Sequence, residues 1–374
     1  MSTPSMQALR NKEMRMSTPS IVALATGNPA QQLPQSTLLE MMMPLFARPR
    51  YAQAIFKASG IDSRAFVADP AFYAEILDKE KDKVPGTQVR NEYYMAEAMP
   101  LGEATIQRCL DMAGVGPEIV DDFFVVSCTG FDIPGLDLRL AGKMGMRSDL
   151  RRTAVLQMGC YGASPALWRA HEAVTASPER VALVLAIELS SLHLQLDDSL
   201  DNMVSMALFA DGAAAALIGN VEDGPLKPEG RPFYIDASTY CDYSTFDHMA
   251  FHITDHGFEM RLSSYVPEVL AANVDGFVDD LLGRNGLGRE DVRFWGIHPG
   301  GKKILDNLET RLGLSDTDLD YSRTVLREHG NMSSATIMFV IEEIERSGKP
   351  SPGDIALMMT FGPGLTMEGM LLKW

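Results

Sequence analysis

Short apolar runs closed by turn residues alternate along this chain with longer stretches whose apolar residues recur every three or four positions. Residues 20–26 (SIVALAT) read as a buried strand that Gly27-Asn28-Pro29 ends. Residues 31–50 and 51–59 read as helical, with Lys57 near the end of the second. Helical spacing returns at 71–77 and 88–113; in the latter Tyr94, Ala98, Leu101, Ile106, Cys109 and Leu110 share a face, which makes Cys109 structural. A strand at 122–127 (DFFVVS) runs into Cys128-Thr129-Gly130, and Pro134-Gly135 precedes a helix at 137–144. A strand at 154–156 leads through Met158-Gly159-Cys160 to a helix with Ala166, Leu167, Ala170 and Ala173 on one side. Strands follow at 181–188 and within 207–219. Alternation of this kind predicts a mostly parallel sheet covered on both faces.

Beyond Asn220 the pattern changes. Residues 222–231 are rich in glycine, proline and charge and read as a loop. Residues 233–260 alternate apolar and polar and contain the turn Thr254-Asp255-His256-Gly257, the signature of strands with a hairpin. Helices are expected at 266–282, 304–312 and 333–346, and strands at 294–297, 354–360 and 365–373.

The second part echoes the first. DFFVVSCTGFDIPGLD aligns with VRFWGIHPGGKKILD, placing Cys128 and His298 170 apart (298 − 128). MGCYGASPALWRAHEA aligns with HGNMSSATIMFVIEEI, placing Cys160 and Asn331 171 apart (331 − 160). VALVLAIE aligns with DIALMMTF at 173 (354 − 181). Near-constant offsets at three places imply two similar βαβαβ halves in an α/β/α/β/α arrangement. The expected division is a disordered extension at 1–19, one half at 20–220 and a second at 221–374. MSTPS occurs at residue 1 and again at residue 16, so the first 15 residues read as an extension or alternative start.

Composition narrows the possible functions. The chain has 374 residues and a formal net charge of −17, which disfavours nucleic acid or an anionic membrane as main partner. Cys109, Cys128, Cys160 and Cys241 show no paired spacing, which suggests free thiols in a reducing cytoplasm. No apolar run approaches the roughly 18 residues that span a bilayer.

Candidate chemistry centres on Cys160. A strand-to-helix turn presents a sulfur, and a helix N-terminus favours its thiolate; a buried cysteine acting as a small hydrophobe fits the same stretch. Strand ends collect ligands in α/β sheets, and the duplication lets Cys160, His298 and Asn331 converge. His298 beside the sulfur would hold it as an ion pair, and His298 with the Asn331 amide could hydrogen-bond one oxygen. Such a set suits acyl transfer and an enolate derived from a malonyl thioester; a cysteine protease or amidase remains open on these residues alone.

QMGCYGA, ALFADGAAA, WGIHPGG, EHGNMSSAT and FGPGLT, in this order, resemble signature stretches of the type III polyketide synthases, the chalcone synthase family, which have the thiolase fold. The resemblance covers residues 21–373. It implies an acyl-carrying Cys160, enolate stabilisation by His298 and Asn331, and two-carbon extension of an acyl-CoA starter from malonyl-CoA. It implies that Phe209 and Met260 are gatekeepers, methionine being a departure from the plant pattern. It further implies that Cys128 (threonine in plant enzymes), Thr129, His193, Ser333 and Phe361 are wall positions. Ile133 matches a residue that reaches into the partner of a homodimer. Arg50 and Lys57 resemble basic residues at the mouth of the coenzyme A tunnel, Gln53 replaces an arginine there, and Lys302 and Lys303 are candidate substitutes. No cofactor beyond the coenzyme A thioesters and no metal is expected. His248, His252 and His256 recur every four residues, but strand alternation and a turn separate them. The glycines at 283–288 follow a helix and not a strand, so they do not form a dinucleotide loop. Single-round condensing enzymes of the ketoacyl synthase III or HMG-CoA synthase type, and a silent partner subunit, are the competing readings.

Overall fold

A computed structural model describes residues 19–68, 85–195, 199–220, 226, 230–263 and 265–374. The first 18 residues of the expected extension and the helix expected at 71–77 lie outside them. In chain order the first half comprises β1 (Pro19–Gly27), β2 (Gln32–Pro34), α1 (Gln35–Met42), α2 (Pro49–Ala58), β3 (Ser63–Ala65), α3 (Thr87–Ala113), β4 (Asp122–Ser127), α4 (Leu136–Met144), β5 (Arg151–Leu156), α5 (Ala163–Ala176), β6 (Ala182–Leu189), α6 (Leu200–Leu208) and β7 (Asp211–Asn220). The second comprises β8 (Phe233–Cys241), β9 (Met249–Thr254), β10 (Gly257–Leu262), α7 (Val266–Gly283), β11 (Val292–Ile297), α8 (Lys302–Leu312), α9 (Asp320–His329), α10 (Thr336–Arg346), β12 (Ile355–Gly362) and β13 (Thr366–Lys373).

The large sheet has the order β11-β12-β13-β8-β1-β7-β6-β4-β5. Its middle is only a seam: β1 meets β8 through the single pair Ser20–Phe233 and the Ile21 N–H bond to the Pro232 carbonyl at 2.9 Å. It therefore behaves as two sheets. In the first, β4 runs parallel to β5 and β6, and β7 is antiparallel to β6 and β1. In the second, β11 runs parallel to β12, and β13 is antiparallel to β12 and β8. Helix α5 rests on β1, β4, β6 and β7 and also touches β13; α10 rests on β1, β7, β11 and β12. These two form the middle layer. Helices α3 and α4 cover the outer face of one sheet; α7, with α8 packed beside it, covers that of the other, and α9 packs on α10, β3 and the edge strand β11. The layered thiolase-like fold follows.

Two expectations need correction. The second half is not a full βαβαβ copy: where the first half has β5, the second has helix α9. Its sequence DYSRTVLREH is charged on one face and buries only Ser322, Val325 and Leu326, which suits a helix lying on a sheet and not a strand inside one. The helix expected over 31–50 is broken, because Pro44 sits in a 3₁₀ turn after α1 and Pro49 opens α2 at its first turn.

Candidate active site

Cys160 sits in a 3₁₀ turn, Gly159–Tyr161, between β5 and α5. The turn needs its glycine. Gly159 has φ +71°, and a Cβ there would lie 2.6 Å from Cδ of Pro363. His298 follows β11; its N–H bonds to the Met359 carbonyl at 2.8 Å, and its own carbonyl accepts the Gly300 N–H at 2.9 Å. Asn331 follows α9. Its N–H donates to the Leu208 carbonyl and its carbonyl accepts the Ala210 N–H, both at 2.9 Å, so residue 331 bridges to Phe209.

The Asn331 side chain is oriented by what it accepts. The Ser333 N–H donates to Oδ1 at 2.9 Å, which turns Nδ2 away, toward a long 3.5 Å contact with the Gly300 carbonyl. Neither ring nitrogen of His298 makes a hydrogen bond, although the residue is buried. A buried imidazole without partners is costly unless a ligand supplies them. Cys160, His298 and Asn331 all line one chamber of about 330 Å³, together with Phe209, Met260 and Phe361.

Burial pushes the Cys160 thiol up to about 11, against the Ser333 hydroxyl and Asn331 amide, which favour the thiolate. Burial alone pushes His298 down to about 3. His298 makes no hydrogen bond to the sulfur, and burial favours the neutral form of each group, which works against the ion pair expected from the sequence.

Phe209 and Met260 border a second, inner chamber of about 30 Å³, which His193, Phe251 and Phe258 also line. They partition the two spaces. The Phe251 ring lies 6.5 Å from that of Phe209. His193 lines only the inner chamber, and its ring is fully committed. The Phe258 N–H donates to Nδ1 at 3.1 Å, so the proton sits on Nε2 and bonds the Thr129 carbonyl at 2.6 Å. The ring stacks on Phe258 at 4.2 Å, and burial lowers it to about 4.

Cys128, Thr129 and Ser333, expected as wall positions, line neither chamber. They are drawn into a buried network behind the nucleophile. The Glu188 carboxylate, at the end of β6, accepts from the Cys128 N–H at 3.0 Å, the Thr129 hydroxyl at 2.8 Å and the Ser334 hydroxyl at 2.5 Å. The Cys128 sulfur lies 3.5 Å from both Glu188 and the Ser333 hydroxyl. Burial and the Glu188 charge hold this thiol well above its ordinary range, so it is not the better nucleophile. Sequence reasoning missed Glu188 and Ser334; the available signal was a carboxylate closing the otherwise apolar run VALVLAIE.

The expected coenzyme A residues are divided. Lys302 and Lys303 line the outer chamber, but Lys302 pairs with Asp306 at 2.6 Å and Lys303 with Glu268 at 3.2 Å. Arg50 and Lys57 are exposed on α2 and do not line it; that helix contributes Ile55 and Ala58 instead. Ile133 follows β4, has a cis bond to Pro134 and is 94 % exposed. The three histidines 248, 252 and 256 fall before β9, within it and in the hairpin turn.

A model of the N-terminal domain of chalcone and stilbene synthases matches residues 6–222, and the model of their C-terminal domain matches residues 240–374. The chain belongs to the chalcone and stilbene synthase family. It is a type III polyketide synthase, hence an acyltransferase of the condensing kind. A 1,3,6,8-tetrahydroxynaphthalene synthase of Streptomyces peucetius subsp. caesius is 32 % identical over 95 % of this chain and 93 % of its own length. An α-pyrone-synthesis polyketide synthase-like protein of Mycobacterium tuberculosis is 30 % identical over 94 % of this chain and 90 % of its own. Among solved structures, a polyketide synthase of the brown alga Ectocarpus siliculosus superposes with a TM-score of 0.89 at 31 % identity, covering 96 % of this chain and 99 % of that one. Among the described residues no helix is long and apolar enough to cross a membrane.

Proposed function

We propose that this synthase loads an acyl-CoA starter on Cys160 and extends it with malonyl-CoA in repeated decarboxylative condensations, releasing a pyrone, resorcinol or related phenolic. The observation that supports this most strongly is the shared chamber: a thiol, an imidazole with both nitrogens unspent and an amide nitrogen with a long contact to the Gly300 carbonyl all line one space. In loading, the Cys160 sulfur attacks the thioester carbonyl, its proton passes to His298, and coenzyme A leaves as the thiol after reprotonation. The malonyl thioester oxygen then sits between a His298 ring N–H and Asn331 Nδ2. As carbon dioxide departs, negative charge collects on that oxygen, and the two donors stabilise the enolate. Its carbon attacks the acyl group on Cys160, and the sulfur is released for the next round.

The chain acts without a cofactor beyond its coenzyme A substrates and as a homodimer, in which the exposed Ile133 reaches the partner subunit. Arg50, Lys57, Lys302 and Lys303 form the basic surroundings for the coenzyme A phosphates. The test is incubation with malonyl-CoA and a panel of acyl-CoA starters, following coenzyme A release and product mass. Several two-carbon additions are expected. A single addition would favour a ketoacyl synthase-like reaction, and a folded enzyme without turnover would defeat the reading.

A further inference from the structure

We propose that Arg64, a residue absent from the chemistry above, is a positioning residue: its guanidinium holds the backbone bearing Phe209 and Asn331 in place for malonyl decarboxylation and is not needed for starter loading. The inference rests on the functional reading just given. Arg64 lies on β3 and is completely buried. A buried cation is expensive unless it is well satisfied, so its contacts are informative. Nη1 donates to the Phe209 carbonyl at 2.5 Å, and Nε donates to Gln35 Oε1 at 2.9 Å. Gln35 in turn donates from Nε2 to the Ala207 carbonyl at 2.8 Å. One guanidinium thus holds 209, just past the end of α6, directly, and 207, in its last turn, through Gln35. Its carbon stem touches the other half of the site. Gly330 has φ +73°, and a Cβ there would lie 2.7 Å and 2.8 Å from Arg64 Cδ and Cγ.

The Arg64 side chain therefore stands behind both members of the Phe209–Asn331 bridge. Phe66 faces its guanidinium at 5.1 Å, and Asp211 is near enough to feel its charge. Asp211 itself is fixed by the Val67 N–H at 2.8 Å and by the backbone and hydroxyl of Ser191 at 2.8 and 2.5 Å. Cys160 is held differently, by a turn packed on Pro363 and Gly362. A loss of Arg64 should then misplace the amide donor and the gate while leaving the nucleophile where it is.

The experiment separates the two half-reactions. Loading is read as acylated Cys160 by intact-protein mass after rapid quenching, and decarboxylation as labelled carbon dioxide released from malonyl-CoA. In Arg64→Lys a single ammonium keeps the charge but cannot reach both acceptors in the guanidinium geometry. The expected result is loading within about twofold of wild type and decarboxylation lowered at least about tenfold. Gly330→Ala, which presses on the same contact from the opposite side, should divide the half-reactions in the same sense. Parallel losses in both steps would mean a merely structural role and overturn the inference, as would unchanged decarboxylation in folded Arg64→Lys. A wild-type enzyme that releases no carbon dioxide would refute the functional reading and this inference together; an active wild type with undivided losses refutes the inference alone.

Discussion

On the function proposed above the acyl chain grows into the inner chamber, and Phe251 is the residue to remove. The chamber's volume of about 30 Å³ is small beside the 330 Å³ of the outer chamber, and each added ketide unit brings three heavy atoms that must be housed. Replacing Phe251 by alanine deletes the phenyl ring and opens on the order of 100 Å³, room for one or two further units. Phe251 is half-buried, so the cost in stability should be about 1–2 kcal/mol, below the roughly 3–5 kcal/mol of a fully buried phenylalanine. The assay is the mass distribution of products from malonyl-CoA and one short acyl-CoA starter. Phe251→Ala should shift that distribution upward by one or two two-carbon units, while loading of Cys160 stays within about twofold. An unchanged distribution from a folded, loading-competent variant would show that the chain does not grow into this chamber, and the partition by Phe209 and Met260 would lose its meaning.

Three other outcomes are expected. Cys160→Ala should abolish starter loading by intact mass, whereas Cys109→Ala should leave it nearly unchanged, because that thiol is buried, points at the Ala23 carbonyl and is pushed up to about 12. Gly159→Ala should lower loading at least about tenfold and stability by about 1–3 kcal/mol, since φ +71° and Pro363 both oppose a side chain; calorimetry with the loading assay checks it. Glu368 is buried against Thr239, and burial raises its carboxyl to about 7. The unfolded chain thus loses this proton first, and stability declines as pH rises from the ordinary carboxylate range to about 7. Glu368→Gln should gain up to roughly 2–3 kcal/mol at pH 8 and almost nothing at pH 4, and melting curves that run parallel across this range would contradict it.

That Cys160, His298 and Asn331 meet in one chamber was legible because their local sequence carries their geometry. Gly159 before Cys160 and Gly330 before Asn331 mark positive-φ turns at helix starts, and His298 closes an apolar strand. The layered fold was legible for a related reason: its strands are buried from end to end, as in β6 and β7, and read as unbroken apolar runs. Arg64, Glu188 and Phe251 were not legible, because their roles come from partners far away in the chain. Arg64 meets Phe209 across 145 residues, and Glu188 meets Ser334 across 146. An isolated arginine or phenylalanine gives no pattern that separates such a contact from solvent exposure or ordinary packing. Helix α6 escaped notice because Leu208-Phe209-Ala210 carries apolar character straight across the junction from helix to strand.

The replacement of a strand by α9 explains how the two halves are held to one another. In the first half β5 pairs along β4 from Asp122 to Ser127, so the turn bearing Cys160 is positioned by its own sheet. The second half has no such strand to carry Asn331. Its backbone instead takes a two-bond bridge to residues 208 and 210, which belong to the first half. The Cys160 turn follows a strand of its own sheet and also packs on Gly362 and Pro363 of the second half, and the amide donor is likewise fixed across the boundary, with Gly330 packed on Arg64 of the opposite half. His298 stays with its own sheet through Met359. Movement of one half against the other therefore strains both the Phe209–Asn331 bridge and the packing of the Cys160 turn on Pro363.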